Sequence, residues 1–231
     1  MEIQNDIYDV FREPTDGGFS RQAVPRSAIE EMLDIARRAP SGTNTQPWNV
    51  YVLQGQSRAM LVDAAAASVL GLMADPVIQA AFWEQFSRHP GNRLGPVLGP
   101  RQASDDFLSA AMAGLGDDAA TAQSALARYF RFFDAPVGLI FTISKFVGMG
   151  SLLDYGMFLQ NMALAARARS LRTSVQMGWK GLSGSVLLHL QAPTDALVVC
   201  GMALGYADAS QPPVSVPSKV PAVESFTTWH G

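Results

Sequence analysis

The first quarter of the chain changes from helical to strand spacing of its apolar residues. Over residues 29–36 the apolar positions recur at the spacing of an amphipathic helix. Ser27 and Glu30 stand three positions apart ahead of this run and predict a capping box at its start. The segment WNVYVLQG, residues 48–55, alternates instead and predicts a strand. A second helix, through an alanine run, is expected from near Ser57.

The second half of the chain contains longer apolar runs. The segment APVGLIFTIS, residues 135–144, is rich in β-branched side chains and predicts a strand buried on both faces. Residues 151–171 are apolar almost all round at helical spacing, and such a helix is expected to be buried. Residues 173–190 predict a loop followed by a short helix, and residues 196–208 predict the last strand of the core.

Two parts of the chain depart from this regular pattern. Residues from about 71 to 133 include the Gly- and Pro-rich stretch HPGNRLGPVLGPRQ and predict a helical lid that leaves the core. The tail from about 209 to 231 combines four prolines with Phe226 and Trp229, and it predicts an extended arm that lies on another surface. We therefore expect a single domain over residues 1–231, with a lid and a C-terminal arm.

Composition limits the classes of protein to which the chain can belong. It has 231 residues, of which 48% are hydrophobic and 16% charged, so it can bury a sizeable core. The net charge is −3 and the basic residues are scattered, so nucleic-acid binding is not expected. Cys200 is the single cysteine, which excludes a disulfide within the chain and favours a reducing compartment.

The sequence shows no targeting signal. The N-terminal segment MEIQNDIYDVFREP lacks the apolar centre of a secretory signal peptide. No window reaches the roughly 18 uninterrupted apolar residues that a membrane-spanning helix needs. We therefore expect a cytoplasmic protein with no membrane partner.

Candidate chemistry is concentrated in the stretch RRAPSGTNTQPWNVYV, residues 37–52. It places more small and amide side chains between a helix and a strand than a tight turn needs. The histidines, His89, His189 and His230, are not spaced as metal ligands, and no Ser-His-Asp motif accompanies them. The sequence therefore predicts no metal site, and by itself it does not say what the many backbone and amide groups of residues 37–52 bind or support.

Four segments, in this order, closely resemble the nitroreductase family of flavin-dependent oxidoreductases. They are ARRAPSGTNTQPW after the first helix, the strand APVGLIFTI, the helix LDYGMFLQNMALAARA, and the strand CGMALGYAD with its long tail. The resemblance extends from about Pro25 to the C-terminus, and APSGTNTQPW is its most specific element. It implies an α+β fold with a central, mostly antiparallel sheet flanked by helices, in a homodimer with C-terminal arm exchange.

The resemblance also implies a site for flavin mononucleotide (FMN) at the subunit interface. The loop after the first helix would contact the flavin from across the dimer, through Pro40, Ser41, Gly42 and Asn44. The segment 173–179 would bring a backbone N–H close to the flavin N5 atom, and its candidate residues are Val175, Gln176, Met177 and Gly178. Because the flavin would carry the chemistry, no catalytic side chain is expected.

The expected phosphate site of FMN departs from the family pattern. Family members usually begin with an arginine-rich RRSxRxF motif that grips the phosphate, whereas this chain has FREPTDGGFSRQ. There Arg12 and Arg21 flank Glu13 and Asp16, and carboxylates in place of arginine forks should weaken phosphate binding. In the tail, Lys219 takes the place of an arginine that touches the phosphate in relatives. FMN is therefore expected with weakened phosphate anchoring.

The function implied by the resemblance is electron transfer from NAD(P)H, through the flavin, to a nitroaromatic, quinone or related small aromatic acceptor. Two alternatives stay open. One is a specialised family member that cleaves or releases reduced flavin, or that acts on a distinct biosynthetic or halogenated aromatic substrate. The other is a degenerate, flavin-free binding subunit.

Overall fold

A computed structural model of the chain describes residues 18–74, 127–210 and 222–230. Within these ranges the chain forms four helices, four strands and four short 3-10 turns. The helices are α1 (Arg26–Ala36), α2 (Gly55–Ala74), α3 (Gly150–Arg167) and α4 (Ser183–His189). The strands are β1 (Asn49–Gln54), β2 (Val137–Ser144), β3 (Leu171–Gln176) and β4 (Ala196–Tyr206). The turns are Gly42–Asn44, Phe132–Asp134, Met177–Leu182 and Val223–Ser225.

The four strands form one sheet in the order β1-β2-β4-β3, and each pairing in it is antiparallel. Strand β2 pairs with β1 through Asn49 and Thr142, and with β4 through Leu139 and Met202. A bulge interrupts the second pairing between Phe141 and Thr142. The predicted α+β fold with an antiparallel sheet flanked by helices is therefore confirmed.

Apolar side chains cover both faces of the sheet. On one face, α2, α4 and the Trp179 turn form a cluster around Ile140 and Ala203. On the other, α1 and α3 form a cluster around Leu139 and Met202. Strand β2 is buried along its whole length except at its last residue. The prediction of a strand buried on both faces is thus confirmed, because β2 lies between the two layers of helices.

Helix α1 starts differently from the sequence prediction. It begins at Arg26, and among the described residues no side chain caps its N-terminus. The carbonyl of Pro25 accepts hydrogen bonds from the N–H groups of Ala28 and Ile29, so Ser27 already lies in the first turn. Glu30 instead accepts from Arg26 Nε at 2.7 Å. The capping-box prediction was wrong, because the fixed φ of proline places the N-cap two residues earlier.

The prediction of a loop from residue 173 was also wrong for its first four residues. Residues 173–176 belong to β3, whose pairing with β4 runs from Leu171 opposite Tyr206 to Gln176 opposite Gly201. A 3-10 turn then leads into α4, the predicted short helix. The polar residues Thr173, Ser174 and Gln176 made this strand look like a loop.

Helix α3 is buried on one side only within the single chain. Its inner side includes Tyr155, Phe158 and Met162, which are at most 1% exposed. Its outer side leaves Leu152, Leu153, Gly156 and Gln160 exposed. The prediction of burial all round was wrong for one chain, because a single sheet covers a single face of a helix.

Parts of the predicted lid and arm lie outside the described residues, at 75–126 and 211–221. The described end of the arm, residues 222–230, leaves Phe226 and Trp229 exposed. None of the described helices is long and apolar enough to cross a membrane.

A stacked pair of aromatic rings fills a gap over two glycines of the sheet. Phe132 lies on Trp179 with ring centroids 4.5 Å apart, and both rings are fully buried. A Cβ at Gly138 would come within 2.5 Å of the Phe132 ring, and a Cβ at Gly201 would overlap the Trp179 indole. Glycine at these two positions lets the rings reach the sheet.

We expect Gly201→Ala to lower the free energy of unfolding by about 1–3 kcal/mol, because the added methyl overpacks the indole. The matched control is Gly184→Ala in α4, where nothing lies within 4 Å of an added Cβ. That change should stabilise the protein by up to about 1 kcal/mol. Urea denaturation of the two variants checks the prediction, and equal destabilisation by both would contradict it.

Candidate functional site

The loop between α1 and β1 has an unusual backbone. Thr43, Asn44 and Gln46 have φ values of 53°, 59° and 46°, in the left-handed region. Each such residue costs on the order of 1–2 kcal/mol relative to the right-handed form. These residues are exposed to solvent, and so are Pro40 and Gly42. Strain kept at an exposed position is typical of a site that binds something.

Hydrogen bonds inside the loop hold this conformation. The N–H groups of Asn44 and Thr45 donate to the carbonyls of Ser41 and Gly42 at 3.0 and 3.1 Å. The N–H of Gln46 donates to Ser41 Oγ at 3.0 Å, and its side-chain amide donates to Asn44 Oδ1 at 2.9 Å. The predicted site residues of this loop therefore lie together in one compact turn.

Two side chains of α3 hold the two ends of the loop. Asp154 Oδ2 accepts a hydrogen bond from the N–H of Gly42 at 3.1 Å, and Asp154 is only 8% exposed. One helical turn later, Phe158 stacks on Trp48 with centroids 4.9 Å apart and an interplanar angle of 23°. Residues four apart lie on the same face of a helix, so one face of α3 supports the whole loop.

Tyr155, between these two residues, ties the end of the loop to the sheet. Its hydroxyl lies 3.0 Å from the carbonyl oxygens of Asn49 and Thr142 and shares its proton between them. Burial raises the pKa of this phenol, so it stays a neutral donor. The sequence prediction missed Asp154 and Tyr155 as support for the loop. The available signal was a carboxylate inside a helix that is otherwise apolar at nearly every position.

The second predicted segment lies at the C-terminal end of β3. Val175 is 47% exposed, whereas Gln176 is fully buried. Gln176 Nε2 donates to the carbonyl of Tyr129 at 2.5 Å, and its Oε1 accepts from Trp179 Nε1 at 3.2 Å. The Gln176 side chain is therefore committed to the interior of the chain.

The next residues of this segment are also bound to Tyr129. The N–H of Gly178 donates to the Tyr129 hydroxyl at 2.8 Å, and a Cβ at Gly178 would come 2.7 Å from the Tyr129 ring. Burial raises the pKa of Tyr129, which keeps the hydroxyl protonated. Of the four predicted residues, Val175 and the half-buried Met177 are those with side-chain surface left for a ligand.

Two arginines at the end of α1 are among the cations that the sequence offers to a phosphate. Arg37 and Arg38, at the end of α1, form ion pairs with Asp34 at 2.5 and 3.2 Å. Hydrogen bonds from Arg37 and then Arg38 lower the pKa of the Asp34 carboxyl, so these three groups are engaged with one another. Lys219 and Arg12 lie outside the described residues.

Comparison with known proteins identifies the family to which the chain belongs. The model of the nitroreductase family matches residues 18–206. The chain belongs to the nitroreductase family. It is therefore an oxidoreductase, as the resemblance implied.

Among nitroreductases, two curated relatives cover nearly the whole chain. One is a nitrobenzene nitroreductase of Ectopseudomonas oleovorans, 35% identical over 92% of this chain and 91% of the relative. The other is a chloronitrobenzene nitroreductase of Comamonas testosteroni, 34% identical over 96% of both chains. The chain also superimposes on the FMN- and NADPH-dependent nitroreductase NfnB from Sphigopyxis sp. strain HMH, with a TM-score of 0.76, 25% identity, and coverage of 97% of this chain and 98% of that one.

Within one nitroreductase chain, the two predicted site segments lie at opposite edges of the sheet. The loop 40–46 leads into β1, and residues 175–178 span the C-terminal end of β3 and the turn after it, while β2 and β4 lie between the two segments. Three strand spacings separate the two edges by about 14 Å. The structure therefore brings together the residues of each segment, but it keeps the two segments apart.

We expect Gln176→Leu to lower the free energy of unfolding by about 2–4 kcal/mol, because the Tyr129 carbonyl and the Trp179 N–H lose their buried partner. Val175→Ala, one residue earlier and half exposed, should cost less than about 1 kcal/mol. Thermal and urea denaturation measure both. Similar losses for the two variants would show that Gln176 is not the internal support described above.

Proposed function

We propose that the protein is an FMN-dependent oxidoreductase that passes electrons from NAD(P)H to small nitroaromatic compounds. The observation that carries the proposal is the exposed, strained loop 40–46, built of small and amide residues in a chain of the nitroreductase family. The substrate class is supported by relatives named for nitrobenzene, chloronitrobenzene and 4-nitrobenzoate. The cofactors are supported by a similar structure described as FMN- and NADPH-dependent.

The residues present fit a flavin ring. Ser41, Gly42 and Asn44 offer backbone groups and short polar side chains, which suit the hydrogen-bonding rim of a flat heterocycle. Val175 offers an exposed apolar surface to a ring face. When bound, flavin supplies the electron transfer between the nicotinamide and the acceptor.

Side chains of the described residues are not needed for the redox step itself. Burial raises the pKa of the Cys200 thiol to about 12, so it stays protonated at neutral pH and is not a thiolate nucleophile. The role of the chain is then to bind and orient the ring and the acceptor, and to exclude water. A reduced, buried cysteine also agrees with the cytoplasmic location that we propose.

The separation of the two segments supports a homodimer. Loop 40–46 and residues 175–178 lie at opposite edges of the sheet in one chain, about three strand spacings apart, with β2 and β4 between them. A second copy can bring its own loop 40–46 to residues 175–178 of the first. We therefore propose that each site combines the loop of one protomer with the β3 end of the other.

An apolar surface suited to such a dimer runs along the outer side of α3. Phe146, Met149 and Leu153 are 80%, 79% and 72% exposed and precede or lie on this helix. The arm adds Phe226 and Trp229, which are 70% and 87% exposed. Exposed apolar side chains of this size are typical of an interaction surface, and we propose that the second copy covers them, with arm exchange.

The first test is reconstitution and turnover. The purified protein should be yellow or become so with added FMN, and without oxygen it should turn over NADH or NADPH only when nitrobenzene or 4-nitrobenzoate is present as electron acceptor. With Lys219 as a single tail cation, FMN should bind about tenfold more tightly than riboflavin, rather than by the larger margin of an arginine cluster.

Other outcomes separate the alternatives. A colourless protein that takes up no flavin would indicate a flavin-free binding subunit. Consumption of the reduced flavin itself under oxygen would indicate a flavin-cleaving member. Either result would overturn the proposed function.

The second test concerns the interface. Leu153→Lys places a charge on the outer side of α3 and should convert the dimer to monomers in sedimentation velocity experiments. The control is Leu188→Lys, which changes a leucine on α4 that is 81% exposed, at the opposite face of the sheet. The control should remain dimeric. If Leu153→Lys is also dimeric, α3 does not form the interface.

A further inference from the structure

We propose that Asp154 is a positioning residue that sets the conformation of the flavin-contacting loop 40–46. This inference rests on the proposed function, because it assigns a role within the same site. Asp154 lies in α3, is 8% exposed, and accepts a hydrogen bond from the Gly42 N–H at 3.1 Å across 112 positions of sequence. A carboxylate is rarely buried without such a partner.

The Asp154 bond holds the peptide group directly before the left-handed residues of the loop. Gly42 also accepts, through its carbonyl, from the N–H of Thr45 at 3.1 Å, so this residue is held on both sides. It directly precedes Thr43 and Asn44, which have left-handed backbones. Loss of the Asp154 bond frees the Ser41–Gly42 peptide plane, and the strained residues can then relax to the right-handed region.

The ring contacts at the other end of the loop do not replace this bond. Phe158 fixes Trp48, and Tyr155 fixes the carbonyl of Asn49, but both act after the strained residues. Among the described residues, Asp154 provides the side-chain hydrogen bond that links the first part of the loop to α3. The carboxylate is suited to this task, since hydrogen bonds from N–H groups to an ionised acceptor are shorter and stronger than neutral ones.

The role is tested with Asp154→Ala and Asp154→Asn. The alanine variant removes the acceptor, whereas asparagine keeps an oxygen at the same place without the charge. A matched control is Asp195→Ala, which removes a carboxylate that accepts from Ser144 Oγ at 2.5 Å, outside the proposed site. Two measurements are made on each protein. They are the affinities for FMN and for riboflavin by fluorescence titration, and hydrogen exchange of residues 40–47 in the flavin-free protein.

We expect Asp154→Ala to weaken the binding of FMN and of riboflavin by the same factor, about tenfold to a hundredfold. The reason is that, in the proposed site, the loop contacts the ring and not the phosphate. Exchange of the Gly42 amide should accelerate by at least about tenfold through loss of its hydrogen bond. Asp154→Asn should recover most of the affinity, and Asp195→Ala should bind both flavins as the unaltered protein does. If Asp195→Ala lowers the stability of the protein but leaves flavin binding intact, the effect of Asp154→Ala on binding is due to the position of the loop and not to a general loss of stability.

Unchanged affinity and unchanged exchange in Asp154→Ala would overturn the proposal. If that variant does not fold, Asp154→Asn decides, since a neutral acceptor should still give faster exchange at Gly42 and a several-fold weaker ring affinity. Identical behaviour of Asp154→Asn and the unaltered protein would then overturn it. If the unaltered protein binds no flavin, the proposed function fails, while the exchange data still show whether Asp154 orders the loop.

Discussion

The contact between α3 and the loop before β1 is the constraint on which the candidate site depends. The inner side of the helix packs on β2 and β4, and the same side carries the groups that hold Gly42, Trp48 and Asn49. The position of the loop is therefore set by the core of the protein and not by the loop alone. The outer side of the same helix is apolar and exposed in the single chain. One helix thus links the order of the loop to the surface that we assign to a second copy.

The energies involved show why several contacts are needed. Three left-handed residues cost about 3–6 kcal/mol together. A hydrogen bond to a charged acceptor contributes about 1.5–3 kcal/mol, and an aromatic stack about 0.5–1.5 kcal/mol. Neither the Asp154 bond nor the Trp48–Phe158 stack offsets the strain by itself. The hydrogen bonds within Ser41–Gln46 supply the rest, so the loop is stable as a unit and sensitive to the loss of any one member.

The sequence predicted those parts of the fold in which one signal dominates. Strands β2 and β4 are nearly continuous apolar runs, and a short run of this kind is typical of a strand buried in the core. The loop 40–46 was identified through a long motif, and the structure shows it as a compact exposed turn. Periodicity failed where polar residues fill a strand, as in Thr173, Ser174 and Gln176, since their burial depends on partners far along the chain.

Long-range pairings explain the other differences between prediction and structure. The Asp154 bond joins residues 112 positions apart, and no local pattern encodes it. The capping box failed because the proline before it already fixed the start of the helix. For α3, an all-round apolar pattern cannot distinguish burial by one chain from burial by two. The exposed leucines on its outer side are the structural counterpart of that ambiguity.

The altered phosphate motif changes what the loop must do. In a site with an arginine cluster, charge-assisted bonds to the phosphate contribute much of the affinity for FMN. Here Glu13 and Asp16 stand among the N-terminal arginines, and Arg37 and Arg38 are paired with Asp34. We therefore propose that the affinity for FMN comes in larger part from the ring. A ring is recognised by the geometry of short donors and acceptors, and these depend on an ordered backbone. The weaker the phosphate contacts are, the more the retention of flavin depends on the order that α3 imposes on residues 40–46.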